Sequence, residues 1–358
     1  MVERKWIVVA LALFVGCVLA ASGCESLEPS PTAATSAGSE SAGLFPVVIG
    51  TKMGYIDKTG NVAIQPQFDD VYEFSEGLAV VVVGDRYGYI DTAGAYLIEP
   101  RFDPAGLEWS GSDFSEGLAA VAVDGKYGYV DKTGAVVIPP RFEQAREFSE
   151  GLAPVMIDEV WGYIDSAGST VIEPRFDDAW SFSEGLAVVV QDGKYGYIDA
   201  TGAYAVQPQF FSAGPFSEGL APVREQTDDS DEVDYTFFVV GYIDKTGRYV
   251  IEPRFEDGWM FAEGSAVVCL DGHYGYIDGT GTFIIQPQFE YGYEFSEGLA
   301  AVSVDGAWGY IDETGTMVIE PRFGWADNFH DGIASVAVDA GYTPAYIDKT
   351  GKVIWQGE

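Results

Sequence analysis

The chain has 358 residues, 47% hydrophobic and 14% aromatic, which is ample for a packed core and excludes general disorder. Its net charge of −37, with 19 Lys and Arg against 56 Asp and Glu, leaves no basic stripe and excludes nucleic acid and anionic membrane surfaces as partners. Its 44 glycines, with little recurrence of apolar residues at three- and four-residue spacing, argue against helical repeats.

Arg4 and Lys5 precede an apolar stretch from Trp6 to Ala21, followed by Ser22-Gly23-Cys24. Residues 1–23 read as a secretory signal, because the apolar run of 16 residues falls short of the roughly 20 that a spanning helix needs. Small residues immediately before a cysteine resemble a bacterial lipobox. That resemblance implies cleavage before Cys24 and lipid on its sulfur and new amino terminus, although Ala21 stands where lipoboxes usually carry Leu. Cleavage after Ala21 or near Cys17 is the alternative. Residues 24–42 are rich in Ser, Thr, Ala, Pro and Gly and read as a flexible tether.

From Gly43 the chain repeats, and residues 43–358 form one array. The unit is shown by GLAPVMIDEVWGYIDSAGSTVIEPRFDDAWSFSE from Gly151 to Glu184, and its Gly-Tyr-Ile-Asp recurs nine times, with Ala345 in the ninth glycine position. Leu152–Ile157, Trp161–Asp165 and Thr170–Glu173 are short runs of β-branched and aromatic residues ended by Asp, Gly, Ser or Pro, which predicts a three-stranded meander. Such a trio buries too little apolar surface to stand alone, so each copy must press against the next. The predicted fold is all-β: tandem three-stranded antiparallel meanders in a propeller-like arrangement. The Phe-rich connector is expected as a short outer segment, and an open superhelical array is the alternative.

Each repeated aspartate is followed by x-Thr-Gly or x-Ala-Gly, the chemistry of a bulged hairpin: the carboxylate accepts backbone N–H bonds and glycine takes the left-handed conformation. The far end of the unit reads Glu-Pro-Arg-Phe in four copies and Gln-Pro-Gln-Phe in three. Because the outer two residues change together, they are expected to meet, as an ion pair or an amide pair. Aromatics flank the repeated glycine, as in Trp161-Gly162-Tyr163, and alternation puts both rings on one face. The bare glycine lets another backbone approach.

Trp-Gly-Tyr-Ile-Asp, then x-x-Gly, Val-Ile, Pro and Arg-Phe-Asp, resembles the bacterial WG-repeat (KWG-repeat) family over Gly43 to Trp355. Only Trp161 and Trp308 keep the literal tryptophan. The resemblance implies a β-repeat array in bacterial proteins, many of them exported. It supplies no catalytic residues.

Two copies are interrupted, and insertions in repeat folds collect on one functional face. The connector Phe102–Phe114 carries Glu108, Trp109 and Asp113, and the excursion from Arg224 to Thr236 holds five carboxylates between Asp228 and Asp234. The latter reads as a solvated acidic loop, with a calcium site as the alternative. One column varies while its frame stays fixed: Tyr72, Arg146, Trp180, Gly214, Trp259, Tyr293 and Asp327, with Trp325 two positions before the last. Recognition is placed on its aromatics, so the candidate ligand-binding residues are Tyr72, Trp109, Trp180, Trp259, Tyr293 and Trp325. Tolerant loop positions are the competing explanation.

His273 and His330 stand in different copies, no Cys or His pair has zinc-ligand spacing, and there is no nucleophile elbow, phosphate loop or dinucleotide fingerprint. Neither a metal, a cofactor nor an enzymatic activity is expected. The reading is an extracytoplasmic, lipid-anchored binding or scaffold module for a protein or glycan of the cell envelope, touching the membrane only through Cys24, or secreted if not lipidated. The alternative is a glycan hydrolase using a carboxylate pair near an inserted loop.

Overall fold

A computed structural model describes residues 42–103, 112–226, 238–339 and 343–357. The signal segment, Cys24, the tether up to residue 41, Trp109 and the Asp228–Asp234 stretch lie outside the described residues. Every regular element described is a strand. The strands form nine antiparallel sheets in sequence order, seven four-stranded and two three-stranded, so the repeat and the sheet are the same unit.

The unit beginning at Gln144 shows how the residues build a sheet. Gln144–Ala145, Leu152–Ile157, Val160–Asp165 and Thr170–Phe176 pair in that order. Ser149-Glu150-Gly151-Leu152 closes the turn into the second strand, with Glu150 at φ 55° and Gly151 at φ 82°. Two successive left-handed residues match the twist of the strands they join. At the other hairpin, Asp165 Oδ1 accepts the N–H groups of Ala167 at 3.0 Å and Ser169 at 2.8 Å, and Gly168 sits at φ 81°, as the sequence predicts.

The repeated glycine does admit a second backbone, but from its own sheet. Trp161 pairs with Phe176 and Tyr163 with Ile172, so Gly162 faces three residues of the last strand, with Pro174 in the bulge. A β-carbon on Gly162 would lie 2.6 Å from the Ile172 carbonyl oxygen and 2.7 Å from the Pro174 nitrogen. The bulge lets proline occupy a strand without costing a ladder donor.

The expected pairing of Glu with Arg is not what the structure shows. Arg101 donates to the Gly134 carbonyl of the following unit at 2.6 Å, and Arg141, Arg175, Arg254 and Arg322 donate to Gly168, Gly202, Gly281 and Gly351 in the same way. Each guanidinium also lies over its neighbouring Phe ring, 4.7 Å from the centroid for Arg175 over Phe176. Among the described residues no ion pair joins the two outer positions of this motif. The arginine locks one unit to the next, whereas in the Gln form Gln288 Nε2 donates to the Gln286 carbonyl oxygen, at 3.3 Å.

Sheets pack face to face, and each of the nine core clusters among the described residues is shared by two neighbours. Leu152, Trp161, Tyr163 and Phe176, for example, pack on Ala179, Phe182, Ala187 and Ile198 of the next sheet. The second and third strands are therefore buried on both faces and read as nearly continuous apolar runs, while the last strand keeps one face in water. The ninth cluster joins the first sheet to the last: Phe45, Val47 and Ile56 pack with Ile333, Tyr346 and Trp355. The array is thus a closed nine-bladed β-propeller, and the open superhelix is ruled out. We label the three strands of blade 1 β1 (Leu44–Ile49), β2 (Lys52–Asp57) and β3 (Val62–Phe68).

The Phe-rich connector lies at the hub, not on the outside. Ser149 Oγ donates to the Phe182 carbonyl at 2.7 Å and Ser183 Oγ to that of Phe216 at 2.7 Å, one blade along. Glu150 accepts the Gly185 N–H at 2.9 Å and Glu184 that of Gly219 at 3.0 Å. Blades fan out from an axis, so equivalent positions meet only near it.

Candidate functional site

The variable column borders this hub. Its backbone is clamped from both sides: Trp180 N–H donates to Val188 O at 2.9 Å within the blade, and Trp180 O accepts the Tyr163 hydroxyl of the preceding blade at 2.8 Å. The same tyrosine bond, of 2.6 to 2.8 Å, recurs from Tyr55, Tyr89, Tyr129, Tyr197, Tyr242, Tyr276 and Tyr310. With the main chain fixed, the side chain is free to vary, which is why this column changes character from blade to blade.

The structure brings some of the candidate aromatics together and leaves others apart. Trp259 and Tyr293, in blades 7 and 8, lie edge to face with centroids 6.0 Å apart, and Tyr293 stacks on Trp308 at 5.1 Å. The Tyr293 phenol faces Trp325 of blade 9, and half-exposed Tyr291 extends the run, stacking on Trp308 at 6.5 Å. Trp180 stands alone in blade 5, edge-on to Tyr195 at 6.5 Å, with its Nε1 3.4 Å from Asp178. Tyr72 is in blade 2, packed beside Leu78 and Val80. The described candidates are all half-buried, and Tyr72, Trp180, Trp259 and Tyr293 each pack part of the ring against an inter-blade core.

A second set of residues went unnoticed in the sequence, except for Asp113. The position just before each connector phenylalanine reads Glu73, Asp113, Glu147, Ser181, Pro215, Met260, Glu294 and Asn328. With Asp327, the carboxylates among them occupy blades 8, 9, 2, 3 and 4, while blades 5 to 7 are neutral. The channel is therefore acidic on one arc. Burial pushes Glu73, Glu294 and Asp327 above the usual carboxylate range, with His330 pulling the other way. Asp113 is pushed up to about 6 by burial and by the charges of Glu73 and Glu147. These groups touch water in the channel yet are ringed by protein, and enclosure disfavours their charged forms. The signal was a column whose charge changes between fixed neighbours.

Other polar groups are tied down. Arg146 donates to Ala179 O at 2.5 Å, pairs with Asp178 at 3.1 Å and lies 4.4 Å from the Trp161 ring centroid. Arg224 pairs with buried Asp257, which also accepts the Tyr274 hydroxyl at 3.1 Å. Cys269 is a fully buried strand residue, in keeping with its place opposite Val190 in the repeat. Among the described residues, no group of three or more His, Cys, Asp or Glu side chains is placed to hold a metal ion.

The fold and the hub together define a β-propeller of the kind that presents a recognition surface, and repeat propellers serve as binding or scaffold modules. The WG-containing repeat matches residues 53–87, 87–127, 127–161, 161–195, 195–226, 241–273, 274–306 and 308–342, so the chain belongs to the WG-repeat family. No curated protein matches the sequence. Among solved structures, a crystal structure of the eukaryotic initiation factor is similar with a TM-score of 0.60 and 12% identity, over 88% of this chain and 95% of that one. AztD from Citrobacter koseri gives a TM-score of 0.41 and 11% identity, over 88% and 93%. At 12% identity and a TM-score of 0.60, the likeness to the initiation factor concerns the fold alone.

Proposed function

We propose that the protein is an extracytoplasmic binding module, anchored by lipid on Cys24, that holds a glycan of the cell envelope on the aromatic run of blades 7 to 9. The observation that carries this reading is the contiguity of Trp259, Tyr293, Trp308 and Trp325 with the channel carboxylates Glu294 and Asp327. Aromatic faces take the apolar faces of sugar rings, and carboxylates accept their hydroxyl protons. The protein acts by binding and has no catalytic step.

A basic protein segment is the second ligand class, favoured by the acidic arc and the net charge of −37. Hydrolysis is the third reading. Its support is Asp113, a carboxyl at about 6 beside Glu73 and Glu147 and next to the longer connector. The deciding experiment is capture of envelope glycans by the wild type and by a variant carrying Trp180→Ala, Trp259→Ala and Trp325→Ala, with folding checked by circular dichroism. Equal capture by both folded forms rejects the aromatic surface. Capture of basic peptides alone selects the second class, and release of reducing ends that Asp113→Asn abolishes selects the third. Retention of radiolabelled palmitate by the wild type and not by Cys24→Ser tests the anchor.

A further inference from the structure

The inner edge of β1 differs from its counterparts. In blades 4 to 9 a two-residue strand lies there, as Asp178–Ala179 lies against Val190 and Val189, and the following residue donates its N–H to the second strand. Blade 1 has no such strand among the described residues, and β1 is the edge of its sheet. The hydroxyl that elsewhere reaches the connector carbonyl of the next blade instead bonds β1 itself, from Tyr346 to Pro46 O at 2.9 Å. The connector phenylalanine that packs on the preceding tyrosine, as Phe216 does on Tyr197 at 4.8 Å, is replaced by Phe45, at 5.7 Å from Tyr346.

We infer that this edge takes the segment before β1, Ser36 to Ser41, which lies outside the described residues. Residues 36–47, SAGSESAGLFPV, align without gaps to residues 212–223, SAGPFSEGLAPV, and eight of the twelve positions are identical. In blade 6, Ser212–Ala213 is the inner strand, and Gly214 N–H donates to Pro222 O at 2.9 Å. Ser36, Ala37 and Gly38 stand in those three places, with Pro46 as the acceptor. The alignment also accounts for Phe45. Glu40 stands where Phe216 does, so the ring that should fill the joint is lost from the connector and supplied from β1. Blade 1 is then four-stranded like its sisters, and the chain before Ser36 leaves the hub on the face of the hairpin between the second and third strands. Without this strand it would leave from Gly43, on the opposite, Ser-Glu-Gly face.

The register follows from blade 5, where Ala179 and Val189 face each other without exchanging hydrogen bonds, the arrangement in which two cysteines bridge most readily. The test uses the full chain with Cys17→Ala, Cys24→Ala and Cys269→Val. Ala37→Cys with Val47→Cys is expected to form an intrachain bridge under mild oxidation, read by mass spectrometry of peptides. Gly38→Cys with Val47→Cys, one residue out of register, is expected to form none. An interchain bridge overturns the proposal in favour of strand exchange between copies, and no bridge, or equal bridging by both pairs, overturns it outright. Independently, Ala37→Asp is expected to speed amide exchange in residues 44–49 at least tenfold, and unchanged exchange refutes the docking.

Discussion

One hydroxyl at the ring closure can be removed while the apolar contacts around it stay in place. Tyr163→Phe at an interior joint deletes a fully buried donor and leaves Trp180 O short of a partner. A net hydrogen bond contributes about 1 kcal/mol and an abandoned buried acceptor adds to the loss, so the cost is about 1 to 2 kcal/mol. Tyr346→Phe removes the equivalent bond to Pro46 across the junction of blades 9 and 1. Tyr346 is only half-buried, so the loss there is about 1 kcal/mol. An open array gives this second hydroxyl no partner and makes its removal silent. Urea denaturation followed by tryptophan fluorescence, with wild type and both variants in parallel, separates the cases. If Tyr346→Phe stays within about 0.3 kcal/mol of wild type while Tyr163→Phe costs its full amount, the ends do not meet as described.

Other perturbations have equally definite outcomes. Phe45→Ala restores the residue found in sister blades but empties the joint that Phe45 fills, and should cost about 3 kcal/mol in the same denaturation experiment. Gly162→Ala drives a β-carbon into the backbone of the last strand, whereas Gly185→Ala meets nothing within 4 Å and suffers only its φ of 86°, so the first should lower the melting temperature far more than the second. Asp113 is harder to ionise folded than unfolded, because its pKa is raised from 3.8 to about 6. Its contribution to stability therefore declines as pH rises from the unfolded value to the folded one, and stays lowered above. With water in the channel screening the charge, the effect is about 1 kcal/mol. Asp113→Asn should accordingly stabilise at pH 8 and be neutral at pH 4 relative to wild type, and equal stabilities at pH 8 would remove the enclosure argument.

The repeat made most of the fold legible. Short apolar runs between turn residues gave the strands, the Asp-x-Thr-Gly spacing gave the third hairpin, and copies unable to stand alone required neighbours. Radial position was not legible, because a connector of Phe, Ser, Glu and Gly looks the same at a hub or a rim. Only the bonds from Ser149 to Phe182 and from Glu150 to Gly185 place it at the axis. The Glu-Pro-Arg motif misled because its outer residues change together without meeting: the arginine reaches the turn carbonyl of another blade. Of the site, the aromatic column was visible as variation within a fixed frame. The neighbouring carboxylate column was missed, since its arc emerges only when blades 8, 9, 2, 3 and 4 are arranged around one axis.

Seven of the eight interior joints place a glutamate in the left-handed region, at φ 49° to 55°, where a non-glycine residue costs roughly 1 kcal/mol. Glycine or asparagine would avoid that cost, but neither carries a carboxylate long enough to reach the next glycine N–H, so the strain is offset by a bond between blades. At the junction of blades 9 and 1 the device is altered. Asp331 stands in for glutamate and pairs with Lys58 at 3.1 Å, and at the adjoining joint of blades 1 and 2 Ala42 stands where the glutamate would be. A ring of nine like joints offers nine like surfaces, and a ligand needs one that differs. The acidic arc straddles this altered joint, and the aromatic run of blades 7 to 9 ends beside it. The recognition surface proposed above and the ring closure therefore fall in the same sector, where the repeat is least regular.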